Sequence, residues 1–253
     1  MSGKQDREKR RQERVEAEAR AGRSDRRQRL LQLGAGAAFL AIVVVAVLIV
    51  ASNSGNGSGG DSNLEEKAEV NRLLGGIPQE GMVLGDPKAP VELVEFGDLQ
   101  CPVCKAYSEE ILPPVIENQV KNGQARIEFR NYTIIGPQSL PAGAAALAAG
   151  EQGRGWTYVE LFYRNQGEED SGYATDEFLE AVAEGAGVKN LPKWQSERRK
   201  LLPEVEKTTA EAHSLGFTGT PSFAVKGPKS NGMELLGTPG STGAIEEAIE
   251  AAS

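Results

Sequence analysis

Cysteine is nearly absent from this chain: its 253 residues contain two, Cys101 and Cys104. That leaves no framework of staples, and a bridge between residues so close closes a ring too small to stabilise much through loop entropy. Histidine is scarcer still, with only His213. A zinc site needs about four ligands, so two Cys and one His fall short unless carboxylates complete the set. Attachment of a c-type haem requires His directly after the second Cys, where this chain has Lys105. Internal repeats are lacking. A structural disulfide or an inert buried pair remains open, but Cys101-Pro-Val-Cys104 suits a dithiol that opens and closes by exchange with other thiols.

Charge is missing between Leu33 and Ala51, and Ile42–Val50 is continuously apolar. Nineteen residues at a helical rise span roughly 28 Å, about a bilayer core. Ahead of this stretch the first 29 residues carry eleven Lys/Arg against six Asp/Glu, a balance of +5. The remaining residues hold 17 against 30, or −13, so the acidic excess belongs to the body. Arg26, Arg27 and Arg29 beside the apolar run predict a single transmembrane helix over 30–51, with tail 1–29 cytoplasmic and the body outside. With such an anchor behind it, the basic arm is not read as binding nucleic acid. A cleaved signal peptide ending near Val50-Ala51-Ser52 is the competing reading. Both place the cysteines where disulfides persist.

Residues 52–80 read as a flexible linker containing a short helix, Leu64–Leu74. Its first twelve residues, Ser/Gly/Asn-rich, reach on the order of 19 Å. The body, 81–253, suits one domain with one core. Val91–Phe96 is a predicted strand, followed by a helix over Lys105–Val120 in which Pro113-Pro114 predicts a kink or two helical pieces. Ala125–Ile135 holds a second strand, and an Ala-rich helical region covers about 138–215. Within it Trp156–Tyr163 and Asp176–Ala186 are the clearest helices, and Pro203 and Gly216 bracket another. Ser222–Lys226 and Met233–Leu236 read as a hairpin, and Gly243–Ala252 as a closing helix.

That order resembles a thioredoxin-like α/β fold with an inserted helical subdomain. The stretch Leu84–Cys104 and the segment Gly219-Thr-Pro-Ser-Phe223 are similar to the opening signature and the cis-proline segment of the DsbA-type thiol–disulfide oxidoreductases, in particular their membrane-anchored branch. The resemblance runs from about Leu84 to the C-terminus. It implies that Cys101 is the exposed attacking sulfur and Cys104 the buried resolving one, with Pro221 cis against them and Thr220 presenting backbone groups to clients. It also implies that an acid at Glu95, six residues before Cys101, passes a proton to Cys104. Strand alternation puts Glu92 and Glu95 on opposite faces, one of them solvated. Cys101 ahead of a helix with Pro102 at its first position predicts a thiolate pKa of about 4.5–6.5, because backbone amides and the helix dipole favour the anion. The strongest oxidases of the family carry His where this chain has Val103.

The function expected is a membrane-tethered dithiol oxidase acting on unfolded secreted proteins with free thiols. With no second cysteine pair, recycling is assigned to a separate quinone-linked membrane thiol oxidase. A reductase or isomerase of the same fold, or a non-catalytic client-binding domain, are the alternatives. No cofactor and no metal are expected. His213 is given no catalytic role, and Trp156 and Trp194 are placed in the helical core.

Overall fold

The computed structural model describes residues 64–253. The predicted tail, anchor and first part of the linker lie outside them, and no helix among the described residues is long and apolar enough to cross a membrane.

The sheet is built around β3 (Val91–Gly97), whose VELVEFG run is β-branched and apolar enough to be covered on both faces. It pairs in parallel with β4 (Ala125–Asn131) and antiparallel with β5 (Ser222–Lys226), which in turn pairs with β6 (Glu234–Gly237). On the other side β4 meets β2 (Val83–Leu84), itself hairpin-paired with β1 (Gln79–Glu80), giving the order β1-β2-β4-β3-β5-β6. These two short strands were not predicted; two residues each offer no periodicity to read.

Helix α1 (Leu64–Leu74) is where the sequence suggests, but it is more than a spacer. Val70, Leu73 and Leu74 are buried in the main core, so the packed body begins well before Gly81. After the cysteine motif the chain forms α2 (Pro102–Ala106) and α3 (Leu112–Val115), joined and followed by π-helical turns over Tyr107–Ile111 and Ile116–Val120. The irregularity expected at Pro113-Pro114 is present, as a four-residue α-helical piece between two π-helical turns. Two prolines remove two amide donors, and the wider π-turns on either side take up the misfit while the helix continues.

Between β4 and β5 lie five helices: α4 (Ser139–Gly150), α5 (Gly155–Arg164), α6 (Asp176–Gly185), α7 (Leu191–Lys200) and α8 (Leu202–Ser214). Helix α4 is Ala/Gly-rich because it is enclosed by α5, α7 and α8. At Gly143 a Cβ would lie 2.6 Å from Asn131 Oδ1. Trp156 and Trp194 fill this subdomain as expected, each donating its indole N–H to a carbonyl, of Met82 and Ala145 respectively. Pro203 opens α8, and Gly216 at φ +83° follows its end.

Alternation along β3 and β5 separates two faces. Val94, Phe96 and Ala224 form a small cluster with Ala212 of α8 and Phe217. Val91, Leu93, Phe223 and Val225 face the larger core, which contains both cysteines, Tyr107, Leu112 and Val115, and Ile245 and Ile249 of α9 (Thr242–Ala252). The motif helix and α9 therefore cover one face of the sheet.

Candidate active site

Strand β3 ends at Gly97, where a Cβ would come within 2.6 Å of the Phe129 ring, and the chain then turns through Asp98–Gln100. Asp98 is fully buried and holds that turn in place. Its Oδ1 accepts from Gln100 N at 2.9 Å, and its Oδ2 from Ile134 N and Ile135 N at 2.8 and 3.0 Å. Its carbonyl accepts from Cys101 N at 3.0 Å and from the Tyr163 hydroxyl at 3.3 Å.

Cys101 is the N-cap of α2, in extended conformation (φ −75°, ψ 120°), with Pro102 at the first helical position. Its sulfur accepts from Cys104 N at 3.4 Å, and the thiols are unbridged. The Cys101 thiol is pulled down to about 6, first by hydrogen bonding from the Cys104 side chain, with the Thr220 side chain and the amides of Cys104 and Val103 adding to it against the opposing effect of burial. Burial, first, and its role as donor to Cys101 push the Cys104 thiol far the other way. The expected contrast between an exposed and a buried sulfur is not found: Cys101 is 3% exposed and Cys104 0%. The cover over Cys101 comes from the segment before β5, so the two sulfurs are told apart by electrostatics rather than by access.

That segment carries the Thr220–Pro221 peptide, which is cis. As a thiol, Cys101 donates to the Thr220 carbonyl at 3.4 Å. The Thr220 hydroxyl is buried without another partner, so it is the group free to donate once the sulfur is an anion. The Pro221 carbonyl accepts from Thr238 Oγ1 at 2.7 Å, while Tyr107 of the motif helix stacks on Phe223 and donates to the Pro239 carbonyl. Two segments, 119 positions apart from Cys101 to Thr220, are thus brought to one place and supply Cys101, Cys104, Thr220 and Pro221.

Glu95 lies beneath them, 1% exposed on the face of β3 that the motif helix covers. Glu92, on the opposite face, is half-buried and paired with Arg126 at 2.8 Å, so it is not simply solvated. Desolvation, then the negative charges of Glu160 and Cys101, push the Glu95 carboxyl up to about 8.

The family model described as Thioredoxin matches residues 78–241, which hold both cysteines and the cis-proline. A probable disulfide bond formation protein D of Bacillus cereus is 30% identical over 157 residues, 58% of this chain and 71% of the relative. The disulfide bond formation protein D of Bacillus subtilis is 28% identical over 151 residues, 56% and 66% respectively. The crystal structure of oxidised BdbD from Bacillus subtilis superposes with a TM-score of 0.60 at 23% identity, covering 69% of this chain and 95% of that one. The chain belongs to the DsbA-type thiol–disulfide oxidoreductases of the thioredoxin family.

Some residues at this DsbA-type site were not singled out in the sequence. Glu160 of α5 is fully buried, donated to by Ser108 Oγ at 3.0 Å and by Arg164 Nη1 at 2.7 Å. Desolvation lifts it to about 7 even so, the Arg164 charge being the largest opposing effect. Its signal was a lone acid in the run WTYVELFY. Gln166, just beyond α5, donates to the carbonyls of Leu99 and Cys101 at 2.7 and 3.1 Å, which no local pattern announces. His213 lies apart from the cysteines, edge-on to Tyr132. Lys105 pairs with Glu109 at 3.8 Å. As an enzyme of this family the chain transfers electrons between thiols and disulfides, and the site supplies an easily ionised sulfur beside one that holds its proton.

Proposed function

We propose that this chain is a dithiol oxidase, tethered outside the cytoplasm by residues 30–51, that introduces disulfides into unfolded secreted proteins. The observation that carries this is the split between the two sulfurs, Cys101 held down at about 6 and Cys104 held up. A stabilised Cys101 thiolate favours the reduced enzyme, so its disulfide accepts electrons readily. Relatives named for disulfide bond formation support the same direction.

A client thiolate attacks Cys101 of the enzyme disulfide, the Cys101–Cys104 bond breaks, and Cys104 leaves with the electron pair. Its high proton affinity means that it must be protonated to stay away, and Glu95, neutral below about 8, is the nearby acid. A second client thiolate then displaces Cys101, which departs as the stabilised anion. The client disulfide has lost two electrons and the cysteine pair has gained them. Thr220 and Pro221 form the rim on which the client segment rests. With two cysteines in the whole chain, reoxidation falls to a separate quinone-linked membrane thiol oxidase.

Cys104→Ala tests the exchange: it leaves the Cys101 thiolate to attack a client disulfide, the reverse of the oxidation, with no second enzyme sulfur to resolve the adduct, so disulfide-bonded clients should accumulate on Cys101 as mixed disulfides in non-reducing gels. No adducts in that variant would exclude the mechanism. Equilibration with glutathione buffers tests the direction, and a potential as low as that of thioredoxin, about −270 mV, would assign the chain to reduction instead.

A further inference from the structure

A second acid is buried on a different element, whose Tyr163 reaches the Asp98 carbonyl just beyond β3. Glu160 comes from α5, in the inserted subdomain, and is fixed at both oxygens: Oε1 by Ser108 and Oε2 by Arg164. Ser108 lies four residues after Cys104, one turn further along the same helix, so Glu160 is joined to the helix that carries the resolving sulfur. Arg164 lines a surface cleft of about 580 Å³ with Glu69, Arg72, Glu109 and Pro113. Glu160 thus ties the motif helix, through Ser108, to Arg164 at the edge of that cleft. We propose that Glu160 is a positioning residue that governs proton delivery from Glu95 to the Cys104 thiolate and links that step to the cleft.

This rests on the reading of Glu95 as the proton donor and extends it. During exchange the proton moves from the Glu95 carboxyl to the Cys104 sulfur as the Cys101–Cys104 bond breaks, leaving Glu95 as a carboxylate. A carboxylate facing ionised Glu160 is unfavourable, so the charge on Glu160 both favours the next protonation of Glu95 and delays loss of its proton as pH rises. The charged and titratable groups around the pair are Cys101 and Cys104 of α2, Glu109 of the following turn, and Tyr163 and Arg164 of α5. Asp98 also faces Tyr163. Arg164 and Ser108 oppose the effect of burial on Glu160 and leave it at about 7, so it is mostly ionised where Glu95, at about 8, gives up its proton.

The test is the single-turnover rate at which the full chain, in its disulfide form, oxidises a peptide carrying two cysteines, followed from about pH 6 to 10 and corrected for the peptide's thiolate fraction. Wild type should lose rate on a basic limb near the point where Glu95 ionises. Glu160→Gln should move that limb down by on the order of one unit, a loss of about fivefold at pH 8. Ser108→Ala should move it the same way by a smaller step and decides the matter if Glu160→Gln does not fold. Glu160→Asp, which keeps the charge, should stay near wild type. A limb unmoved in the variants that fold would overturn the role of Glu160, since a merely structural residue would lower stability without shifting the limb. Glu95→Gln should abolish the limb; its survival there would refute the donor reading of Glu95 itself.

Discussion

Replacing Glu95 by Gln should make the protein more stable, and increasingly so as pH rises. The ordinary carboxyl value of 4.5 applies to the unfolded chain, whereas the folded chain holds the proton up to about 8. The native state therefore binds more protons, and the stability associated with Glu95 is complete below about pH 4.5 and is lost as pH rises through about 8. Each pH unit inside that window costs the fold about 1.4 kcal/mol. The penalty is below about 1 kcal/mol at pH 5 and reaches about 3 kcal/mol at pH 7. Gln keeps the shape without ionising. Its added amide hydrogens contribute an offset that does not vary with pH, so the slope is the informative quantity. Guanidinium titrations of the reduced full-length chain, followed by the fluorescence of buried Trp156 and Trp194, measure it. A difference between variant and wild type that is flat from pH 5 to about 7.5 would refute the burial argument for this carboxyl.

Val103 is 49% exposed beside Cys101, so a histidine there has room. Val103→His should lower the Cys101 pKa below about 6 and raise the potential by roughly 30 mV per pKa unit, read by thiolate absorbance and glutathione equilibration. An unchanged pKa would mean that the added ring does not reach the sulfur. Asp98→Asn removes the charge that three backbone amides share and should cost about 3 kcal/mol in denaturant unfolding, together with slower exchange at Cys101. A loss under about 0.5 kcal/mol would show that the turn holds itself. If the anchor is as proposed, a membrane-impermeant thiol reagent should label the reduced cysteines in intact cells; labelling confined to lysates would contradict it.

Cys101, Cys104 and Pro221 were legible because their chemistry is local. Two cysteines three apart at a helix start, and a Thr-Pro before a strand, are visible in a few residues each. Glu95 was half legible. Alternation placed Glu92 and Glu95 on opposite faces, as they are, but could not say which is buried, because β3 is covered on both sides and an acid on either face meets protein. Glu160 was missed because its meaning depends on α5 packing against the motif helix, a contact between positions 52 residues apart. The π-turns around Pro113 and Pro114 had the same difficulty. A proline pair announces lost donors, whereas the packing that keeps the helix intact, with Leu112 and Val115 buried against the sheet, is tertiary.

Gln166 makes the inserted helices inseparable from the redox chemistry in an evolutionary sense. A lineage that trimmed the insertion back to a bare thioredoxin core would lose more than packing. It would give up the amide that holds the carbonyls of Leu99 and Cys101, the hydroxyl that meets Asp98, and the acid opposite Glu95. Exchanging the dipeptide between the cysteines with that of a relative transplants only part of a redox character, because the rest is encoded more than fifty residues downstream. The turn between α6 and α7, where Asn190 pairs with Gln152, makes none of these hydrogen bonds, so a change there leaves the groups around the cysteines in place.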